Sequence, residues 1–384
     1  MSGDSRWIRL LLVSSTITQA IIYLLRPMIT YQAIKLEASP AQVGLIASIY
    51  ALLPVLFALN FGRWVGIVGE GKFLIFGTFG LALSSLVLVF SQSLVVLSIA
   101  AAMSGLAHLG CMVGGQTMVS LKSKPEDYEK NFGYYTFSAS LGQMIGPLVG
   151  ALAAGSVGTM PRSTTSAFVV GIGASLIALI PIFGWRKMAP TVLASHGNHG
   201  AIKSAGKLLR NPKIFSAIYT SMIISSVADI LLVFLPLYGS EKGFTTYSIG
   251  VILAIRAGAS MTSRFFLGAL RKKFTSRQLM VSTNLISTVT CAAMGFAPNP
   301  WMLAAIVLIA GLSLGVGQPL TMSMVSLATA PEQRALAVSA RLTGNRLGQF
   351  LVPGVAGAIA SASGVKGVFI ALSVLLGTTF LPRQ

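Results

Sequence analysis

Acidic side chains are scarce in this 384-residue chain, with nine Asp and Glu against 28 Lys and Arg. Histidine and cysteine are scarcer still, at three and two residues. Each shortage excludes a class of chemistry. Cys111 and Cys291 both lie in apolar runs, so no disulfide framework and no metal-ligand spacing is available. Three histidines and so few acids leave no paired-carboxylate, metal or Ser-His-Asp constellation, so no enzyme is expected. No Gly-rich P-loop pattern occurs, which argues against ATP drive within the chain. Charged residues make up only 10% of the sequence, too few for a soluble domain.

What fills the chain instead is apolar. The composition is 54% hydrophobic with a mean hydropathy of +0.79. Forty glycines would weaken soluble helices, but in a bilayer small residues let helices approach closely. Apolar runs predict twelve spans, near 8–34, 41–62, 73–92, 94–120, 132–156, 165–185, 213–238, 246–269, 278–297, 300–327, 335–360 and 365–382. Most are long enough to cross a core of about 30 Å at 1.5 Å per residue. The fold class is therefore an all-α multi-pass membrane protein. Arg6 and Arg9 precede a run too long for the core of a cleavable signal, so the first span reads as a signal anchor. The net charge of +19 does not imply nucleic acid, because the basic residues alternate with apolar runs and form no stripe. They follow the loops instead. With the N-terminus inside, 19 Lys and Arg fall on the cytosolic side and four on the other, which places both termini in the cytoplasm.

The charges inside the spans are few. Asp229 is the one acid in an apolar span; the other acids, Glu70 among them, are assigned to termini and loops. Arg26, Arg256, Arg264, Arg341 and Arg346 also lie in spans, with Arg264 near a span end where it is able to snorkel to the surface. A charge at the bilayer centre costs at least about 2.5–3.5 kcal/mol, so such residues face a partner or a watery cavity. Arginine cannot shed its proton and needs water, carbonyls or an anion. Pairing of Asp229 with one arginine as a static bridge is the plain alternative to a role in transport, and it leaves further arginines without an acid. Tyr23, Tyr31, His108, Gln116, Gln318 and Asn345 are candidates to line the same path, with Gln19, Gln143 and Gln349. His108 is able to take a proton near neutral pH, although a hydrogen-bonded structural histidine is the plainer reading.

The sequence also repeats itself at an offset of 206. Gly44 pairs with Gly250, Gly105-Leu106 with Gly311-Leu312, and Met118–Leu121 with Met324–Leu327. Pro125-Glu126 matches Pro331-Glu332, Leu141-Gly142-Gln143 matches Leu347-Gly348-Gln349, and Pro147 matches Pro353. This divides the chain into six-helix halves, 1–185 and 213–384, joined by a cytosolic linker, 186–212. The linker's Lys203, Lys207 and Arg210 alternate with apolar residues as in a helix lying on an anionic leaflet.

With its span count, duplication and basic central loop, the chain resembles the major facilitator superfamily along essentially its whole length. The fifth span carries Gly142, Gly146, Pro147 and Gly150 in a Gly-x-x-x-Gly-Pro-x-x-Gly array like that of drug–proton antiporters. Residues four apart share one helix face, so this face is nearly smooth. The second–third loop keeps Gly69 and Lys72 of the family motif but has Gly66-Ile67 where an Asp-Arg pair is usual. The resemblance implies two halves related by a pseudo-two-fold axis, with Gly142, Gly146, Pro147, Gly150 and Pro353 as conformational positions. It also implies that the first, fourth, seventh and tenth spans line a central cavity, which puts Arg26 and Asp229 on lining helices and Arg256 and Arg346 on flanking ones.

The reading that follows is a secondary transporter working by alternating access on a small anionic or amphipathic solute, with protons as the coupling ion. The alternatives are a multidrug–proton exporter and a transporter-like sensor or scaffold that binds without cycling. The partners expected are the solute, protons and the lipid bilayer, with no nucleic acid and no cofactor. The chain is expected to act as a monomer in a bacterial inner membrane. The charge bias is tested by labelling: single cysteines at Ser39 and Thr245 react with an impermeant maleimide in intact cells, and one at Ser276 reacts only after permeabilisation. Labelling of Ser276 in intact cells overturns the orientation.

Overall fold

The computed structural model describes residues 6–183, 209–329 and 333–380. The expected amphipathic stretch at Lys203, Lys207 and most of the 186–212 linker lie outside them, as do Pro331 and Glu332. Among the described residues the architecture is helical throughout, apart from one isolated bridge between Val157 and Met160. The helices are α1 (Arg6–Lys35), α2 (Pro40–Val68), α3 (Glu70–Val89), α4 (Leu94–Lys122), α5 (Tyr128–Ala154), α6 (Thr164–Phe183), α7 (Pro212–Lys242), α8 (Thr246–Lys273), α9 (Ser276–Met294), α10 (Pro300–Leu327) and α11 (Arg334–Gly377).

Local sequence sets many of the ends. Ser93 caps α4 by accepting from Val96 N–H, and Asn299 caps α10 by accepting from Met302 N–H ahead of Pro300. Thr275 and Gln278 form a capping box on α9. Asn211 accepts from Lys213 N–H, with Pro212 at the first position of α7, where its missing N–H is of no consequence. In α11 the backbone leaves helical geometry at Gly364, φ 71°, a conformation that side chains with a Cβ rarely adopt. The helix therefore has two arms, which match the two spans expected at 335–360 and 365–382.

Among the described residues, ten helices or helix segments are long and apolar enough to cross a membrane. Helix α9 falls short on hydropathy because it opens with Arg277 and Gln278 and carries Asn284, Ser287 and Thr290; the last three are buried, with Ser287 Oγ 2.7 Å from Ser313 Oγ of α10. Counting α9 and dividing α11 at Gly364 gives the twelve spans read from the sequence.

One expectation fails at the second–third connection. The sequence reading placed 63–72 in a loop, with Glu70 in it and not buried. Helix α2 instead runs on to Val68 and α3 begins at Glu70, so the turn is made by Gly69 alone, at φ 93°. Glu70 is 2% exposed, 3.4 Å from Lys122 Nζ at the end of α4, and its Oε2 has no hydrogen-bond partner. A turn of one positive-φ glycine folds the acid inward instead of releasing it to water.

The chain divides into two compact units. The first six helices make one, except that Ser39–Ser48, around the start of α2, belongs to the other. The later helices make the second, except that Thr245–Ala254, at the start of α8, belongs to the first. The two exchanged segments are equivalent at the offset of 206.

Packing inside the units repeats at the same offset. In one unit Leu11 and Val119 share a core cluster; in the other Ala217 and Val325 do so. A Cβ added to Gly105 would strike the carbonyl oxygen of Tyr50, and one added to Gly311 would lie 2.6 Å from that of Arg256. Gly250 approaches Pro147 O and Ala151, and Gly44 approaches Pro353 O and Gly357. The smooth face of α5 finds its partner in α1: Gly142 meets Thr16 and Gln19, Gly146 meets Ala20 and Tyr23, and Gly150 meets Leu24. Gly348 meets Met222 in the equivalent way. Such approaches give van der Waals contact between helices where lipid offers no hydrophobic drive.

Gly→Ala in a helix normally gains about 1 kcal/mol of propensity, but overpacking against a fixed backbone costs about 1–3 kcal/mol. Gly105→Ala and Gly311→Ala are therefore expected to lower the melting temperature of the purified protein. Gly268→Ala, which has nothing within 4 Å of its new methyl, is not. Equal melting for all three variants removes these glycines as packing determinants.

Candidate functional site

Each unit carries a polar node on its buried helix faces. In the first, α1 contributes Gln19 and Arg26, seven residues apart on one face. Helix α2 contributes Tyr50, α4 His108 and α5 Gln143. Tyr50 Oη lies 2.7 Å from His108 Nδ1, and Gln19 Nε2 lies 3.0 Å from His108 Nε2. Gln143 donates to Gln19 Oε1 at 3.4 Å. With that oxygen facing Gln143, the Gln19 amide N–H faces the ring, so His108 accepts at Nε2 and carries its proton on Nδ1 toward Tyr50. A doubly protonated ring would set an N–H against the Gln19 N–H, and Gln19 would have to turn over. Above this node the Arg26 guanidinium lies 4.4 Å from the centre of the Tyr50 ring, a cation–π contact worth about 0.5–2 kcal/mol. Arg26, Tyr50 and His108 are all buried.

The second unit builds its node from α7, α10 and α11. Arg341 is 3% exposed and donates from Nη2 to Gln318 O at 2.9 Å, to Gln318 Oε1 at 2.6 Å and to Thr321 Oγ1 at 3.2 Å. Asn345 donates to Gln318 Oε1 at 3.3 Å and accepts from Ser221 Oγ at 2.9 Å. Gln318 donates back to Ser221 O at 3.1 Å. Arg341, Gln318 and Asn345 thus come together, but as a mutually satisfied node in which neutral groups hold the cation. Further along α11, Arg346 donates to Gln349 Oε1 at 3.0 Å, and Gln349 donates to Ser225 Oγ at 3.2 Å. That last contact is the repeat equivalent of Gln143 on Gln19.

Asp229 is buried on α7, 8% exposed. Arg256 on α8 is 5% exposed, and its Nε is buried without a hydrogen-bond partner. Tyr23 is half-buried beside Gly146, Tyr31 is fully buried near the end of α1, and Gln116 is half-buried on α4. Gly142, Gly146, Pro147, Gly150 and Pro353 lie on the close-packed faces already described. Arg264 is half-buried and donates from Nε to Gly315 O at 3.2 Å, a carbonyl of α10 that Pro319 leaves without a helical donor.

Tyr50 is the residue that the sequence reading missed. A lone tyrosine in an apolar run carries little signal, but the repeat held one: residue 50 is the equivalent of Arg256, a buried arginine already singled out. Among the described residues no group of His, Cys, Asp and Glu is placed to hold a metal ion.

The sequence model of the Major Facilitator Superfamily matches residues 11–283 and 248–382. The chain belongs to this superfamily. The multidrug resistance protein MdtG of Salmonella paratyphi C (strain RKS4594) is 22% identical over 331 residues, spanning 85% of this chain and 80% of the relative. MdtG of Citrobacter koseri is 21% identical over the same lengths. Among solved structures, a bacterial homologue of the human lysosomal transporter Spinster aligns with a TM-score of 0.79 at 16% identity, covering 99% of this chain and 96% of that one. A point mutant of the nucleoside transporter NupG aligns at 0.80 with 13% identity, covering 97% and 98%. The human organic anion transporter MFSD10 aligns at 0.67 with 16% identity, covering 99% of each chain. These likenesses show the fold. The chain is a multi-pass membrane protein and a secondary transporter of small molecules, not an enzyme.

Proposed function

We propose that this Major Facilitator transporter carries an anionic or amphipathic organic solute by alternating access, with Arg256 as its principal anion-binding group. The observation that carries this reading is the buried Arg256 Nε without a hydrogen-bond partner. A guanidinium keeps its charge, so the donor calls for an acceptor, and a carboxylate or phosphate meets a planar fork bidentately. Arg341 offers no such opening, because Gln318 and Thr321 already occupy it. Arg26, stacked on Tyr50, is the second cation of the reading. The organic anion transporter among the fold neighbours is consistent with this substrate class. The MdtG relatives favour a second reading, export of lipophilic drugs.

In this proposal the halves are 1–185 and 213–384 with 186–212 as a cytosolic linker. Both termini are cytoplasmic, the membrane is the bacterial inner membrane, and the working unit is a monomer. Coupling is to protons, with Asp229 as carrier. A carboxyl buried midway along a lining helix is suited to exchanging a proton with each side in turn. His108 is the weaker carrier, since its present hydrogen bonds suit the neutral ring.

The substrate class is tested by thermal shift of the detergent-purified protein against a panel of aromatic carboxylates and a panel of lipophilic cations such as tetraphenylphosphonium. Carboxylates are expected to stabilise the protein. Arg256→Ala is expected to weaken their binding about tenfold or more, the loss of a charged hydrogen bond worth about 1.5–3 kcal/mol. Stabilisation by the cations alone, or full carboxylate affinity in Arg256→Ala, overturns the anionic reading.

Coupling is tested in proteoliposomes with Asp229→Asn, which mimics the protonated acid. The variant is expected to lose accumulation driven by a pH gradient while keeping exchange between equal pools of substrate. Unchanged pH-driven uptake removes Asp229 from the mechanism.

A further inference from the structure

At one end of the first unit, α2, α3 and α4 leave a groove of about 330 Å³. Its walls are aromatic: Phe57, Phe61 and Trp64 from α2, and Phe73 and Phe76 from α3. Phe61 meets Trp64 edge-on at 5.7 Å and Phe73 edge-on at 5.2 Å, so the rings brace one another into a fixed trough. The floor is closed, with Phe61 and Phe73 buried, while Trp64 and Phe76 at the rim are 43% and 54% exposed. Lys72 is the single charged side chain in the lining.

The lysine stands apart from the nearest acid in sequence. Glu70 turns inward to Lys122 at 3.4 Å, and Lys72 stays exposed with no ion pair to a described residue. An aromatic trough with one exposed ammonium in its lining, unpaired with any described residue, has the chemistry of an amphiphile site: an acyl chain among the rings and an anion on the lysine. In a chain that crosses the bilayer, the amphiphile at hand is the lipid itself. Trp at the rim fits that depth, since its ring prefers the headgroup boundary.

We propose that this groove is a specific site for an anionic phospholipid, with one acyl chain between Phe57, Phe61 and Phe76 and the phosphate on Lys72. Lipid there braces the α2–α3 turn at Gly69, where a single residue joins the two helices. The site is separate from the transported solute's residues, and its test does not depend on them.

The probe is Trp64 fluorescence in a variant with Trp7, Trp185 and Trp301 replaced by Phe. The protein is reconstituted into phosphatidylcholine vesicles. Either phosphatidylglycerol or phosphatidylcholine with brominated acyl chains is added at equal low mole fraction. Brominated phosphatidylglycerol is expected to bind at Trp64 about fivefold more strongly, the preference given by one lysine near an anionic headgroup. Lys72→Gln brings the ratio to one, and high salt does the same in the protein with Lys72 intact. Leu106→Phe narrows the groove and is expected to reduce quenching by both lipids. Equal quenching by the two lipids means ordinary annular lipid and overturns the proposal. A preference that survives both Lys72→Gln and high salt overturns it too, because the headgroup is then held elsewhere. Absence of quenching by either lipid also overturns it, because no acyl chain then enters the groove.

Discussion

The contact on which the polar architecture depends is a glycine set against a backbone carbonyl on a neighbouring helix. Gly105 of α4 lies on the carbonyl of Tyr50, and Gly311 of α10 lies on the carbonyl of Arg256. Lipid is as apolar as leucine, so helices in a bilayer are held by close van der Waals approach and interhelical hydrogen bonds. A missing Cβ permits that approach and fixes the rotation and depth of the partner helix at that residue. The two residues fixed in this way are Tyr50, which joins Arg26 to His108, and Arg256, the cation with an open donor. The same logic applies on the other faces. Gly142 against Thr16 brings Gln143 within reach of Gln19, and Gly348 against Met222 brings Gln349 within reach of Ser225.

Much of this was legible because membranes simplify the code. Every backbone polar group in hydrocarbon must be satisfied within its own segment, so a long apolar run implies a helix. The twelve spans and the break before residue 365 followed from run length, and the positive φ of Gly364 is where the helix makes that break. The offset of 206 was visible as identities, and it proved to be an offset of contacts as well. What the sequence withheld was rotation. Glu70 sits in a polar, glycine-rich stretch that reads as loop, and only the positive φ of Gly69 turns it inward to Lys122. Helix α9 carries enough Ser, Thr and Asn to blur its signal, because Ser287 bonds to Ser313 of α10, Asn284 to Thr379 just past α11, and Thr283, Thr288 and Thr290 to carbonyls of their own helix.

Buried charge shows the same limit. Five arginines in apolar spans looked equivalent by count. In the fold, Arg341 is enclosed by an amide, a carbonyl and a hydroxyl, and Arg264 rests on the bare carbonyl of Gly315. Neutral dipoles thus stabilise two cations, which a tally of Asp and Glu against Arg does not anticipate. Arg256 differs from these two because its Nε meets no acceptor among the described residues. The distinction arises from which helix face each residue occupies and what the neighbouring backbone exposes there.

The repeat is kept at the glycines and prolines where helices pack and broken at the buried charges. Gly105 and Gly311, Gly142 and Gly348, and Pro147 and Pro353 are identical across the offset of 206. Yet the equivalent of Arg26 is Leu232, that of His108 is Leu314, that of Asp229 is Tyr23, and Tyr50 is replaced by Arg256. Even the nodes that correspond across the repeat differ in chemistry. Ser15, Gly115 and Tyr135 occupy the positions of Ser221, Thr321 and Arg341, so a phenol fills in one unit the place that a guanidinium fills in the other. Under the proposed function, a scaffold that moves as two similar bodies constrains its packing residues to be alike. An asymmetric solute places no such demand on the residues that touch it, and a coupling proton needs only one carboxyl. Under the proposed function, selectivity therefore belongs to the positions at which the two copies disagree, buried yet polar, and Arg26, His108, Asp229 and Arg256 are all among them.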